Sequence, residues 1–199
     1  ARNMFPAWIL DDPEWKLTAG RNRDKISEVM QTPYNQRSQE QVSTLIHWLM
    51  TVWETANRMG FKRCGAMTKV FHYLKYEPGE NVIKEGDRGL TFYIIISGSC
   101  VVHKENIGVV ATIGKGQSFG EIALTEGKDL RTATVQAQSK VELLRLHKGD
   151  YDYFVKDIQL AERRENLHVL KSCPIFKSWS RMKIQHMVNT VIRKTFLPG

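Results

Sequence analysis

The sequence predicts a mainly β, α+β chain: an antiparallel barrel or jelly roll set between helical flanks. Short apolar stretches rich in β-branched and aromatic residues run from Asn81 to Leu146, at a spacing of roughly eight to twelve residues. Turns bearing glycine separate them, at Gly86, Gly89, Gly98, Gly114 and Gly116. On both sides of this region the apolar spacing becomes helical.

Taken in order, residues 1–37 carry Pro6, Pro13 and Pro33 with scattered Phe5, Trp8 and Trp15. They read as an N-terminal arm with one short helix near Arg23 to Met30. Ser38 followed by Gln41 has the spacing of a capping box, in which each residue satisfies a backbone N–H of the other. From Gln41 to Asn57 the apolar residues Val42, Leu45, Ile46, Leu49, Val52 and Trp53 fall at helical spacing. A further helix is predicted over about Lys62 to Tyr73.

The period changes at Glu77-Pro78-Gly79. Strands are predicted at Asn81 to Lys84, Thr91 to Ile96, Ser99 to His103, Ile107 to Ile113, Thr132 to Gln136 and Val141 to Leu146. The run Phe92 to Ile96 is wholly β-branched and aromatic, so it is expected to be buried on both faces. Helical character returns at Lys148, with a short helix over Asp150 to Lys156 and a longer one over Ile158 to Leu170. Pro174 ends or redirects the latter, because proline cannot continue the backbone hydrogen bonding.

The last residues repeat an earlier pattern. Met187 corresponds to Met67, Lys183 to Arg63 and Phe196 to Tyr76, and both segments read as a helix followed by aromatic-x-Pro-Gly. Residues 172–199 are therefore expected to open a second, truncated unit, leaving 38–171 as one domain with its helical flanks.

Composition bounds the function. With 42% hydrophobic and 25% charged residues the chain is globular, and no apolar run approaches the ~18–20 residues of a membrane span. Cys64, Cys100 and Cys173 are far apart and form no C-x-x-C pair, so free thiols in a reducing, intracellular compartment are expected. The net charge of +8 is spread without any long basic run, which reads as solvated helices. His47, His72, His103, His147, His168 and His186 show no ligand spacing, and no Ser or Cys sits in a nucleophile elbow. Metal-dependent and nucleophilic catalysis are accordingly not expected.

The chemistry concentrates in Phe119-Gly120-Glu121-Ile122-Ala123-Leu124 and Leu130-Arg131-Thr132-Ala133-Thr134-Val135. Gly120 allows a ligand close to the backbone. Glu121 to Thr125 can form one helical turn whose unused N–H groups favour an anion. The Glu121 carboxylate can accept from a sugar hydroxyl, and the planar Arg131 guanidinium can pair a phosphate through two parallel hydrogen bonds. Together these groups suit a ribose bearing a phosphate.

On these residues the chain resembles the cyclic nucleotide-binding domain family, through its phosphate-binding cassette. Pro78-Gly79-Glu80, Gly86-Asp87, Phe92-Tyr93-Ile94, Gly98-Ser99 and Gly116 through Glu121 follow the family's order. The resemblance covers about residues 40–171. It implies an eight-stranded antiparallel β-roll with the cassette helix inside it, a leading helical segment and two C-terminal helices.

By position, the resemblance gives Glu121 the ribose 2′-hydroxyl and Arg131 the cyclic phosphate. Gly120, Ile122, Ala123, Leu124 and Ala133 complete the cradle, and Thr132 hints at tolerance of a guanine base. Tyr153 or Leu167 is the candidate lid over the base. Two departures stand out: ten steps separate Glu121 from Arg131, where the commonest kinase-type cassettes have nine, and Leu130 replaces a frequent proline.

The resemblance implies a sensor and not an enzyme, with cAMP or cGMP as ligand and no cofactor. Occupancy would move the C-terminal helices, read out by an effector domain or partner protein outside the chain. Two alternatives are a β-roll without ligand serving as an interaction scaffold, and a transcription-factor sensor domain. DNA is not expected as a partner, since no recognition helix is legible after Leu170.

Overall fold

The computed structural model describes residues 26–125 and 129–188 of the chain. In order, the elements are α1 (26–31), α2 (Gln39–Val52), α3 (Glu54–Met59), α4 (Phe61–Met67), β1 (His72–Tyr76), β2 (Asn81–Ile83), β3 (Thr91–Ser97), β4 (Ser99–Lys104), β5 (Gly108–Gly114), β6 (Ser118–Phe119), α5 (Glu121–Thr125), β7 (Thr134–Ala137), β8 (Val141–His147), α6 (Lys148–Phe154), α7 (Lys156–Ser172) and α8 (Arg181–Val188). The strands form two four-stranded antiparallel sheets, ordered β1-β8-β3-β6 and β2-β7-β4-β5. This is the expected roll of eight strands with α5 inserted between β6 and β7.

Alternation along the strands divides the apolar residues into two cores. Tyr93, Ile95, Leu143 and Val141 join Phe119, Val135 and Cys100 in the roll interior. Phe92, Ile94, Leu144 and Leu146 point the other way, into a core shared with Leu45, Leu49, Trp53, Met67 and Tyr151 of the helices. Strand β3 thus contributes to both, which is why Phe92 to Ile96 is buried throughout.

The capping box is present: Gln41 N–H donates to Ser38 Oγ at 3.1 Å and Ser38 N–H to Gln41 Oε1 at 2.8 Å. The helix expected from Gln41 to Asn57 is, however, broken. Trp53 is extended (φ −126°, ψ 111°) and separates α2 from α3. The break turns the indole inward, 2% exposed, where it meets the Phe92 ring at a centroid distance of 6.0 Å. No proline or glycine marks this site, so burial of one large ring overrides local helix preference.

The helix expected over Lys62 to Tyr73 is also shorter. It ends at Met67, and residues 72–76 form β1. Thr68 Oγ1 donates to the Gly65 carbonyl, while Arg37 Nη1 donates to the Thr68 carbonyl, so the chain end of α4 is closed by side chains. Strand β1 then pairs with β8, matching Tyr73 with Leu144 and Leu74 with Leu143. The two-residue β6 was not legible as a strand in the sequence, and β7 starts at Thr134, two residues after its expected start.

At the C-terminal side, Lys156 opens α7 instead of ending α6, with Val155 as the junction. Pro174 begins a single 3-10 turn after α7. Helix α8 starts at Arg181 and α4 at Phe61, the same offset that relates Met187 to Met67. The Phe196 to Gly199 half of that comparison, and residues 1–25 of the N-terminal arm, lie outside the described residues. Within them, Ile26, Val29 and Met30 of α1 are buried in the helical core, and no helix is long and apolar enough to cross a membrane.

Candidate ligand-binding site

Arg131 is the best-fixed residue of the cassette. Its backbone is stitched to the turn before β3: Arg131 N–H donates to the Asp87 carbonyl at 2.8 Å and Gly86 N–H to the Arg131 carbonyl at 2.9 Å. Gly89 N–H donates to the Asp129 carbonyl at 2.7 Å. The side chain then runs inward and is 5% exposed. Nη1 donates to the Gly120 carbonyl at 3.0 Å, and Nη2 donates to both the carbonyl and Oγ1 of Thr91 at 2.8 Å.

Two glycines make room for it. A Cβ on Gly89 would stand 2.6 Å from Arg131 Nε, and one on Gly120 would stand 2.8 Å from Nη1. Gly120 also has φ +94°, a conformation that side-chain-bearing residues rarely adopt. The guanidinium lies 5.9 Å from the centre of the Tyr93 ring, which stacks on Phe119 at 5.0 Å. Thr91 Oγ1 donates onward to Tyr93 Oη at 3.1 Å. Arg131 is thus embedded in a frame of carbonyls, hydroxyls and an aromatic face.

Its electrostatics follow from that frame. Burial lowers the Arg131 pKa, while Tyr93, Glu121 and Asp87 oppose the shift. Among the described residues no carboxylate lies within ion-pair distance of it. A guanidinium offers five N–H donors, and the carbonyl and hydroxyl bonds leave Nε–H and one Nη1–H for an incoming acceptor. A buried cation with spare donors and no ion-pair partner is suited to an anion.

Glu121 opens α5 and is half-buried. It lines a cavity of about 470 Å³ whose other walls include Thr55 and Arg58 of α3, Lys115, and Gln159 and Glu162 of α7. Arg131 does not line that cavity. Ala123 and Leu124 are buried, with Leu124 in the helical core, and Ile122 is half-buried. Ala133 is half-buried and Thr132 exposed, both just ahead of β7. Gly120, whose carbonyl accepts from Arg131 Nη1, links the arginine to the helical turn that Glu121 opens.

The two lid candidates are not brought to the cassette. Tyr153 is 74% exposed, rests edge-on against Phe154 at 4.7 Å, and its carbonyl accepts from Arg63 of α4. Leu167 is half-buried on α7, which is fastened to the N-terminal helices. Arg58 reaches Glu162 at 3.4 Å and Glu165 at 3.0 Å; Thr55 Oγ1 donates to Glu162 Oε2 at 3.2 Å. Arg63 pairs Asp157 at 2.7 Å. These contacts hold α7 against α3 and α4 in the structure as it stands.

Three contributors were missed in the sequence: Gly89, Thr91 and Tyr93 as the seat of Arg131. Their signal was the glycine pair Gly86 and Gly89 immediately before a wholly apolar strand, a tight turn placed where backbone must approach something. Between Glu121 and Arg131, Asp129 has φ +49° and pairs Lys148 at 2.7 Å. Among the described residues no group of three or more metal-binding side chains gathers.

Comparison with known proteins agrees with this geometry. Residues 73–157 match the family model described as "Cyclic nucleotide-binding domain". A cAMP-dependent protein kinase regulatory subunit of Debaryomyces hansenii is 44% identical over 77 residues, 38% of this chain and 17% of that protein. A cGMP-dependent protein kinase of Plasmodium berghei is 28% identical over 134 residues, 67% of this chain and 15% of that protein. The regulatory domain of Toxoplasma gondii PKA, solved with cAMP, superposes with a TM-score of 0.59 at 25% identity, covering 77% of this chain and 59% of that one. The chain spans 15% to 18% of the length of the curated relatives it matches. With the strand order and the inserted helix in place, residues 73–157 are similar in sequence and fold to the cyclic nucleotide-binding domain family.

Proposed function

We propose that this chain binds a 3′,5′-cyclic nucleotide in its β-roll and acts as a regulatory sensor module. One observation carries the reading: Arg131 is held inside the roll as a cation by Thr91 and Gly120, with no carboxylate of the described residues paired to it. The cyclic phosphate takes Arg131's spare donors, and the Glu121 carboxylate accepts from the ribose 2′-hydroxyl. Gly120, Ile122, Ala123, Leu124 and Ala133 shape the cradle, and the exposed Thr132 hydroxyl is compatible with a guanine base as well as adenine. No catalytic role and no cofactor belong to this reading.

The response is a population shift between two positions of α6 and α7. In one, α7 is fastened to α3 through Arg58; in the other it closes toward the ligand with Leu167 over the base. The cavity between Glu121 and α7 is the space across which that movement occurs. The output passes to an effector region or partner protein. Residues 172–199 open a second unit of the same kind, as the matching offsets of α4 and α8 suggest.

Calorimetric titration with cAMP and with cGMP tests this directly. Binding in the micromolar range or tighter, weakened by ~2–5 kcal/mol in Arg131→Glu, supports the reading. Absence of heat with both nucleotides favours the scaffold alternative instead.

A further inference from the structure

A second basic cluster, one arginine and two histidines, lies on the same inner face of the β1-β8-β3-β6 sheet. Across β8 and β3, Arg145 pairs with Tyr93 and His147 with Thr91; across β1 and β8, His72 pairs with Arg145. Directly paired residues put their side chains on one face. Arg145 shares strand parity with Leu143 and Val141 of the roll interior, so His72, Arg145 and His147 project to that side. Arg145 and His147 stand on the strand next to Thr91 and Tyr93, the residues that seat Arg131, and His72 one strand further.

The cluster has unused donors. Arg145 Nε is buried and finds no acceptor among the described residues. A buried N–H left unpaired is unfavourable, so an arginine placed there calls for an acceptor. The His72 and His147 rings meet edge-on with centroids 5.4 Å apart. Burial lowers the His72 pKa, and the charges of Arg145 and His147 lower it further, while Asp150 in the first turn of α6 opposes them. Arg145 is therefore the fixed cation of this edge, and the two imidazoles stand beside it as N–H donors.

We propose that His72, Arg145 and His147 form a separate oxyanion site of the phosphate class. Its partners are the Arg145 guanidinium, whose planar fork matches a phosphate oxygen pair, and the two imidazole N–H groups. It is distinct from the cassette site, which uses Arg131, and does not depend on cyclic nucleotide binding. Occupancy would neutralise the Arg145 cation beside Tyr93 and so link an anion signal to the seat of Arg131.

The test follows the His72 and His147 side-chain resonances in ¹H–¹⁵N spectra of the 199-residue chain during titration with inorganic phosphate and, separately, O-phosphoserine. Saturable shifts of both histidines are expected in the wild-type chain and in Arg131→Gln. In Arg145→Gln they should shrink at least tenfold. Tighter binding of phosphoserine than of phosphate identifies the anion as a protein-borne phosphoryl group; equal binding identifies a free anion. His147→Gln, a change at an exposed position, guards against a misfolded arginine variant and should weaken the His72 response several-fold. The proposal is overturned by the absence of saturable shifts in the wild-type chain. It is equally overturned by a response lost in Arg131→Gln yet intact in Arg145→Gln and His147→Gln. Because Arg131→Gln removes only the cassette cation, failure of the cyclic nucleotide reading shows in the nucleotide titration and leaves this outcome readable.

Discussion

Arg131 Nη2 donates to both the carbonyl and the hydroxyl of Thr91 at 2.8 Å, so a neutral side chain orients the buried cation. Hydroxyl and carbonyl dipoles fix the guanidinium plane without cancelling its charge, and the full charge remains for an anionic ligand. Thr91→Val removes one of these bonds while keeping the shape. The expected loss is about 1 kcal/mol, a fall of roughly five-fold in cyclic nucleotide affinity, with Thr91→Ser restoring it. Calorimetry on the two variants checks this; equal affinity in Thr91→Val and the parent would remove Thr91 from the site.

Gly89 leaves no space for a methyl group. An added Cβ would be 2.6 Å from Arg131 Nε and 2.8 Å from Ala123 Cβ. Gly89→Ala should therefore push Arg131 from its seat and overpack the turn, costing about 1–3 kcal/mol of stability together with nucleotide binding. Urea unfolding and calorimetry report the two losses. A variant that keeps both would show that the turn before β3 can yield.

The ion pairs of Arg58 with Glu162 and Glu165 tie α7 to α3. If α7 must leave that position for the ligand-bound state, Arg58→Ala lowers the cost of leaving. Partly exposed pairs are worth about 0.2–1 kcal/mol, so nucleotide affinity should rise by up to roughly five-fold. Unchanged or weaker binding would mean that α7 stays docked throughout.

Burial pushes the Cys64 and Cys100 thiols up to about 11. Since the thiolate is the reactive form, both should resist alkylation at pH 8 in the native chain, and all three cysteines should react after denaturation. Half-buried Cys173 is the site expected to be modified first. Mass spectrometry after brief iodoacetamide treatment distinguishes them, and early labelling of Cys64 or Cys100 would contradict the packing around α4 and β4.

The Lys148 hydrogen bond, followed by its charge, holds the Asp129 carboxyl below the ordinary carboxylate range. A depressed folded pKa contributes stability above the unfolded value, about 4, and that contribution disappears as pH falls through the folded value. Asp129→Asn should therefore melt below the parent at neutral pH and approach it as the solution is acidified past the carboxylate range. A gap that persists undiminished at low pH would assign the effect to the backbone, where Asp129 holds φ +49°.

Much of the fold was legible because short-range periodicity records which face of an element is buried. The alternation and glycine turns from Asn81 onward announced the roll, and Ser38 with Gln41 announced the start of α2. Helix boundaries were less legible where one buried side chain decided them, as at Trp53. Strands β1 and β6 were hidden for a related reason: they are defined by pairing with β8 and β3, and only two residues of β6 make that pairing.

The sequence by itself determined a glycine-marked roll, a cassette with an acid and a base, and helices on either side, since each is written within a few neighbouring residues. The tertiary structure alone decided what those residues meet. Arg131 finds Thr91 across 40 positions of chain, and Arg58 finds Glu165 across 107. Local spacing constrains which face of a segment is apolar, whereas the seat of a buried charge depends on which distant backbone carbonyls the closed roll brings within hydrogen-bonding reach.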